Sequence, residues 1–529
     1  MEKKLYFGGA ILTMENEEPA GALLTENGRI QAVGEEEEVR RLASGAEEIS
    51  LEGRTMMPSF IDAHSHFSAC ANALLQGTAE GAGNFEEITD AVRSYIRERK
   101  IPAGEWVVVR DLDPEVLAEK QVPDRRVLDA ASSDHPIILQ HKSGHVGVLN
   151  SLALKMAGIG RDTPDPEGGR IWRENGEPTG YLEENAFIPV LHRLPPPTGG
   201  ELMAAYERAQ EMYASYGITT IQEGFMSAEM IPVYRGLCEG QRLWLDVVGY
   251  PGADGGEALY QALPEAAEGY WNRFRLGGFK MFLDGSPQSR TAWMRTPYRD
   301  SEDRGYPVLT DEQVYQNVSM AVSSGRQILA HCNGDRAAEQ YLGALSRLKQ
   351  EGKDPAAVRP VMIHAQLLGL DQIPELVRLG VIPSFFVAHV YHWGDAHIRN
   401  FGLERASKIS PAASAGRAGL PYTFHQDAPV IRPDMLETVW CAVNRRTREG
   451  TVLGEDERVT VKEALLAVTA RAAYQYSEEK EKGTLAPGKR ADLVILDKNP
   501  LETEPERIRE IRILETIKDG KTIYKRKEQ

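Results

Sequence analysis

The sequence predicts an α/β protein: a (β/α)8 TIM-type barrel, a small β-sandwich built from both chain termini, and an inserted subdomain after the first barrel strand. Three observations predict it. Apolar strand patterns alternate with helix-length segments through the middle of the chain, and hairpin patterns stand at both ends. One interval between successive strands, about 150 residues, is too long for a single crossover. The composition suits a large globular protein, with 42% hydrophobic and 26% charged residues among 529. No stretch approaches the ~18 consecutive apolar residues of a membrane helix.

The elements follow in order. Leu5–Met14 and Ala22–Val33 are alternating segments, the second broken by Asn27-Gly28, a strong hairpin signal. Near the other end, Ala491–Leu496, Ile513–Ile517 and Thr522–Tyr524 repeat the pattern around Asp519-Gly520. Neither end carries enough apolar surface to fold alone, so 1–57 and 480–529 are expected to form one composite sandwich. Barrel strands are expected at Met57–Ala63, Gly217–Gln222, Leu243–Tyr250, Gly277–Leu283, Gln327–His331, Pro360–His364, Val381–Phe386 and Pro421–His425. These place a barrel domain over 58–66 plus 201–479, interrupted by an insertion at 67–200 that ends in the linker-like run Pro195–Gly200.

Charge and cysteine usage narrow the function classes. With 61 basic and 78 acidic side chains the net charge is −17, which disfavours nucleic acid or an anionic membrane as partner. The expected partner is a small-molecule substrate, with a homodimer left open as the assembly. Four cysteines, widely spaced and with no CxxC, exclude a disulfide scaffold and a zinc ribbon. The N-terminal residues have no apolar signal-peptide core, and a cytoplasmic location is expected.

Polar residues gather where the strands end. His64 and His66 close the first strand two residues apart, so both imidazoles face one side. Lys280 lies inside the apolar run Phe279–Phe282, where an ammonium is costly to bury; turning outward or pairing with Asp284 are the structural alternatives. His331 and His364 each end an apolar strand, where a histidine is often a satisfied core residue. Asp427 follows the last strand. All six stand at the C-terminal ends of strands, where barrels of this class carry their active sites.

In this ordered set the chain resembles the metal-dependent amidohydrolase superfamily, and within it the branch of N-substituted formamide deformylases. The matching segments are Met57–His66, Lys280–Ser286, His331–Ala337, Ile363–Gln366, Asp427–Val430 and the tail Gly483–Val494. The resemblance implies a binuclear centre of two divalent ions, Zn2+ foremost, held by His64, His66, Lys280, His331, His364 and Asp427. His64, His66 and Asp427 would hold one ion, and His331 and His364 the other. Lys280, carboxylated by carbon dioxide, would bridge them. It implies hydrolysis of a C–N bond of an amide, formamide or N-acyl compound by a metal-bridging hydroxide, with Asp427 as the catalytic proton carrier. Ser59 and Gln426 stand where the family usually has glycine and serine, and Glu223 is a competing carboxylate for the bridge.

Substrate-binding candidates are His145 in Ser143–Val146, Arg290, Asp335 and His389. Asp335 is a candidate to orient an imidazole or meet substrate, with a helix N-terminal carboxylate as the structural alternative. The competing functions are hydrolysis of an ester, cyclic amide or deaminable ring on the same centre, and a catalytically inactive relative kept for binding.

Overall fold

The computed structural model describes residues 2–114, 116–141 and 146–527. It forms two compact units, Met1–Cys70 with Tyr206–Gln529, and Ala71–Ala205; the insertion was expected at 67–200.

In the first unit, strands from both ends of the chain share one mixed sheet of eight strands. Its order runs Lys521–Lys525, Ile513–Lys518, Leu493–Leu496, Thr55–Pro58, Lys3–Ile11, Ala20–Glu26, Arg29–Gly34, with Glu47–Ser50 parallel to Lys3–Ile11. Asn27 and Gly28 both take positive φ (50° and 80°), the backbone a tight hairpin requires. One composite unit with a sheet shared by both termini was expected, and the far ends of this sheet also meet, with Arg29 bridged to Arg490 and Ile30 N donating to Lys489 O at 2.9 Å. Thr55–Pro58 joins the two sets of hairpins, pairing with Lys3–Ile11 on one side and Leu493–Leu496 on the other. The core beneath is built from both ends: Tyr6, Ile11, Leu23, Ile30 and Met56 pack with Leu485, Leu493, Ile495 and Ile517.

Nine parallel strands, among the described residues, position the site. One sheet holds Phe60–Ile61, Ile218–Met226, Asp246–Pro251 and Phe274–Leu276. The other holds Gly278–Phe282, Gln327–Cys332, Val361–His364, Ile382–Phe385 and Thr423–Phe424. Phe274–Leu276 is a strand the sequence pattern did not indicate. Helices return between strands, among them Ile231–Glu239, Asp311–Ser323, Asp335–Gln350 and His389–Phe401. The described hydrogen bonds make two sheets rather than one closed ladder. At one seam a parallel bridge pairs Gly252 with Lys280, and Ala253 N donates to Lys280 O at 2.7 Å. At the other, Ile61 N donates to Val468 O (2.9 Å), and the Gln475 amide spans the gap, accepting from Thr423 Oγ1 (2.7 Å) and donating to Ala63 O (2.8 Å). A side chain and a loop carbonyl there replace strand pairing. Ile61, Val248, Leu329, Val361, Ile363 and Ile382, from both sheets, pack in one buried cluster.

The second unit carries its own six-stranded sheet, ordered Gly169–Glu174, Glu177–Glu184, Val146–Leu149, Ile137–His141, Val107–Leu112, Gly77–Thr78. Its helix Phe85–Arg99 is capped by the Asn84 side chain, which accepts from Glu87 N. No helix among the described residues is long and apolar enough to cross a membrane.

Candidate metal centre

The site is assembled from strand ends. Beyond Phe60–Ile61 the chain turns so that His64 is buried and His66 is partly open. Lys280 lies within Gly278–Phe282 with no solvent exposure, and its Nζ stands 3.2 Å from His64 Nε2. His331 and His364 come from neighbouring strands, with His331 Nδ1 and His364 Nε2 3.1 Å apart. Asp427 completes the group: its Oδ1 is 3.5 Å from His64 Nε2 and 3.3 Å from His66 Nε2, and its Oδ2 is 3.9 Å from His364 Nε2. One ligand atom from each of His64, His364 and Asp427 falls within a 4.8 Å span. The structure thus brings together all six residues that the sequence singled out as ligands.

Backbone strain accompanies this convergence. His364, Ala365 and Asp427 all have positive φ (72°, 46° and 56°), a conformation non-glycine residues adopt at a cost of order 1–3 kcal/mol each. The surrounding packing holds them there.

Partners on the far side of each ring set its orientation. His64 Nδ1 lies 2.5 Å from Gln222 Oε1, and the Gln222 amide nitrogen donates to Ala63 O (2.9 Å) and meets Tyr476 Oη at 2.9 Å. The amide is therefore fixed with its oxygen toward His64, so His64 Nδ1 carries the proton and Nε2 presents its lone pair inward. His331 Nε2 faces Gly285 O at 3.3 Å, leaving Nδ1 inward. His364 Nδ1 faces His425 Nε2 at 3.1 Å, and His425 Nδ1 faces Ser384 Oγ at 2.8 Å.

Electrostatics favour uncharged rings. Burial, reinforced by Lys280, pushes His64 well below the usual histidine range and His331 down to about 4. Burial and the neighbouring imidazoles do the same to His364. Burial brings the Lys280 amine down to about 7 against the opposing pull of Asp427. Burial alone would raise Asp427, but His66, His425 and Lys280 outweigh it and hold the carboxyl below its ordinary value. Neutral imidazoles beside an ionised carboxylate are a donor set for a divalent cation. Asp427 Oδ1 is buried and makes no hydrogen bond within the described structure, which fits an oxygen reserved for such an ion.

Residues 47–524 match the amidohydrolase family. The chain belongs to that family. The N-substituted formamide deformylase of Arthrobacter pascens is 28% identical over 528 residues, 96% of this chain and 95% of the relative. A crystal structure described as an uncharacterized metal-dependent hydrolase from Pyrococcus furiosus matches with a TM-score of 0.74 at 25% identity, over 94% of this chain and 100% of that one. Another, from Pyrococcus horikoshii OT3, shares the fold with a TM-score of 0.75 at 24% identity, over 95% and 99%.

Within this amidohydrolase the remaining candidates lie elsewhere. Glu223, the competing bridge, has one oxygen already engaged: its Oε2 accepts from Ser68 N (2.7 Å) and Tyr234 Oη (2.6 Å). Asp335 does not orient His331; it begins the helix Asp335–Gln350 and accepts from Arg295 N at 2.8 Å, the structural alternative. Arg290 is exposed on a loop and donates to Asn400 Oδ1 (3.0 Å), apart from the cluster. His389 is buried against Phe386 and Trp393, with its Nδ1 3.1 Å from His397 Nε2 rather than among the six. His145 lies outside the described residues. Sequence reasoning missed His425 and Gln222. The two-residue rule that paired His64 with His66 also pairs His425 with Asp427, and it would have found the first.

Proposed function

We propose that this chain is a metal-dependent amidohydrolase that hydrolyses the C–N bond of an amide, formamide or N-acyl small molecule. The carrying observation is the inward set of His64 Nε2, His331 Nδ1, His364 Nε2 and the Asp427 carboxylate, each ring tethered from behind. In this reading His64, His66 and Asp427 would hold one ion, and His331 and His364 a second, with zinc the first choice for imidazole and carboxylate donors. Lys280, its buried amine readily deprotonated, would react with carbon dioxide to supply a further carboxylate to these ions. When bound, such ions polarise a carbonyl and acidify water. The chain's own residues do the rest. Asp427 takes up a proton at its carboxylate and returns it to the departing nitrogen, and the walls of Phe282 and Phe386 beside His331 and His364 limit water.

We also read the two parallel sheets as one (β/α)8 barrel, in which Phe274–Leu276 and Gly278–Phe282 are one strand interrupted at Gly277, closed through the Gly252–Lys280 bridge and the Gln475 seam. Residues from both sheets in one core cluster support that reading. The match to a formamide deformylase supports the C–N bond. The test is metal analysis of the purified protein, then turnover of a panel of formamides, N-acyl amines, cyclic amides and esters before and after chelation. Chelator-sensitive cleavage of the formamides or N-acyl amines is expected. Turnover confined to esters or ring substrates overturns the C–N assignment, and full activity in metal-free protein overturns the metal-dependent one.

A further inference from the structure

His425 is fully buried two residues before Asp427. Its ring centroid lies 5.1 Å from that of His364 and 5.3 Å from that of His64, yet its Nε2 meets the outer nitrogen of His364. Its own outer nitrogen, Nδ1, meets the buried Ser384 Oγ at 2.8 Å. The three side chains thus form a line, from His364 at the end of Val361–His364 through His425, just past Thr423–Phe424, to Ser384 on Ile382–Phe385.

We propose that Ser384 and His425 form a tautomer relay that presents His364 Nε2, rather than Nδ1, to a bound divalent cation. The inference rests on the metal-centre reading above. The logic is proton counting on neutral rings. A cation at His364 Nε2 needs the lone pair there, so the ring proton sits on Nδ1. That buried proton has one acceptor within reach, His425 Nε2, which must then be unprotonated. The His425 proton is therefore on Nδ1, and Ser384 Oγ accepts it. Each step fixes the next, so His425 and Ser384 are positioning residues that act on the ion through His364. The same arrangement anchors the ring of a residue whose backbone is held at positive φ.

The experiment measures zinc affinity of the full-length protein by chelator competition. His425→Phe keeps an aromatic ring but loses the acceptor, and it should weaken zinc binding ~10–100-fold, the usual effect of losing a partner behind a ligand. His425→Gln, which keeps an acceptor oxygen, should recover part of that loss. Ser384→Ala should weaken binding less, and should add nothing in the His425→Phe background. Nitrogen-resolved NMR of histidine-labelled, zinc-loaded protein should report His425 as the Nδ1–H tautomer. The relay is overturned by zinc affinity within twofold of wild type in a folded His425→Phe variant, or by an Nε2–H tautomer at His425. If His425→Phe does not fold, Ser384→Ala and the tautomer decide. His364→Ala separates the two readings. Zinc loss there with normal binding in His425→Phe removes the relay alone, whereas normal binding in both removes the metal centre and the relay with it.

Discussion

At Asp427 and Lys280 the same burial has opposite consequences. The carboxylate stays ionised because His66, His425 and Lys280 surround it, while the amine is driven toward neutrality because one carboxylate cannot offset its lost hydration. Two predictions belong at this scale. Asp427→Asn should retain the fold and lower kcat by ~10²-fold or more, the scale of a lost proton carrier. Steady-state kinetics with parallel metal analysis checks this, and near-normal turnover removes Asp427 from the chemistry. Lys280→Ala should lose metal and activity together, with partial recovery when a short-chain carboxylic acid is supplied with the metal. Full metal content and activity in Lys280→Ala would exclude a bridging role.

Among the elements, the strand Ile218–Met226 supports the cluster through Gln222 and Gly224. Gln222 on it fixes the His64 ring, and Gly224 lets that ring approach the backbone. A Cβ at position 224 would stand 2.6 Å from His64 Cε1 and 2.8 Å from Ser65 O, closer than such atoms can come. His64 is buried and pinned by Gln222, so it cannot yield cheaply. Gly224→Ala should therefore displace the imidazole and weaken metal binding about tenfold or more, as disturbance of a supporting contact does. Metal titration of the variant beside its far-ultraviolet circular dichroism tests this, and unchanged affinity would show that His64 has room to move. Strand existence was legible here from apolar runs, and so was the clustering of polar residues at strand ends. The short strands Phe60–Ile61 and Thr423–Phe424 were expected to be longer, because nothing local reveals that Val468 O and Gln475 replace strand partners.

Over the whole molecule, buried charge ties the terminal sheet to the parallel strands. Lys518 Nζ bonds Asp246 Oδ2 at 2.6 Å and Asp492 Oδ2 at 2.7 Å, and Lys482 Nζ reaches the same Asp246 oxygen at 2.6 Å. Burial opposes ionisation of Asp246, yet Lys482, Lys518 and Arg273 hold its pKa well below the ordinary carboxylate value. Removing one member of such a group strands a buried charge. Lys518→Met should cost about 3–5 kcal/mol in denaturant unfolding. The pH sign follows from the lowered folded-state pKa: the stabilisation is present above the unfolded carboxyl value of about 3.9 and is lost as pH falls through the folded one. The variant should therefore begin to unfold at a higher pH than wild type on acid titration. A stability loss under about 1 kcal/mol with an unmoved acid transition would show that Lys482 and Arg273 suffice.

By itself the sequence determined the class of protein, the alternation of strands and helices, the participation of both termini, and the six side chains that meet at one mouth. Each of these is written in short-range pattern: apolar periodicity, a turn dipeptide, histidines two apart, a polar residue at the end of an apolar run. Only the tertiary structure decided that Glu223 faces Ser68 and Tyr234, that Asp335 serves a helix end, and that Gln222 and His425 stand behind the clustered histidine rings. Those roles depend on which atom lies within about 3 Å of which other across 11 to 158 residues of chain. A hydrogen bond discriminates direction and distance that one-dimensional spacing does not carry, so the choice between ligand, support and bystander waits on the folded geometry.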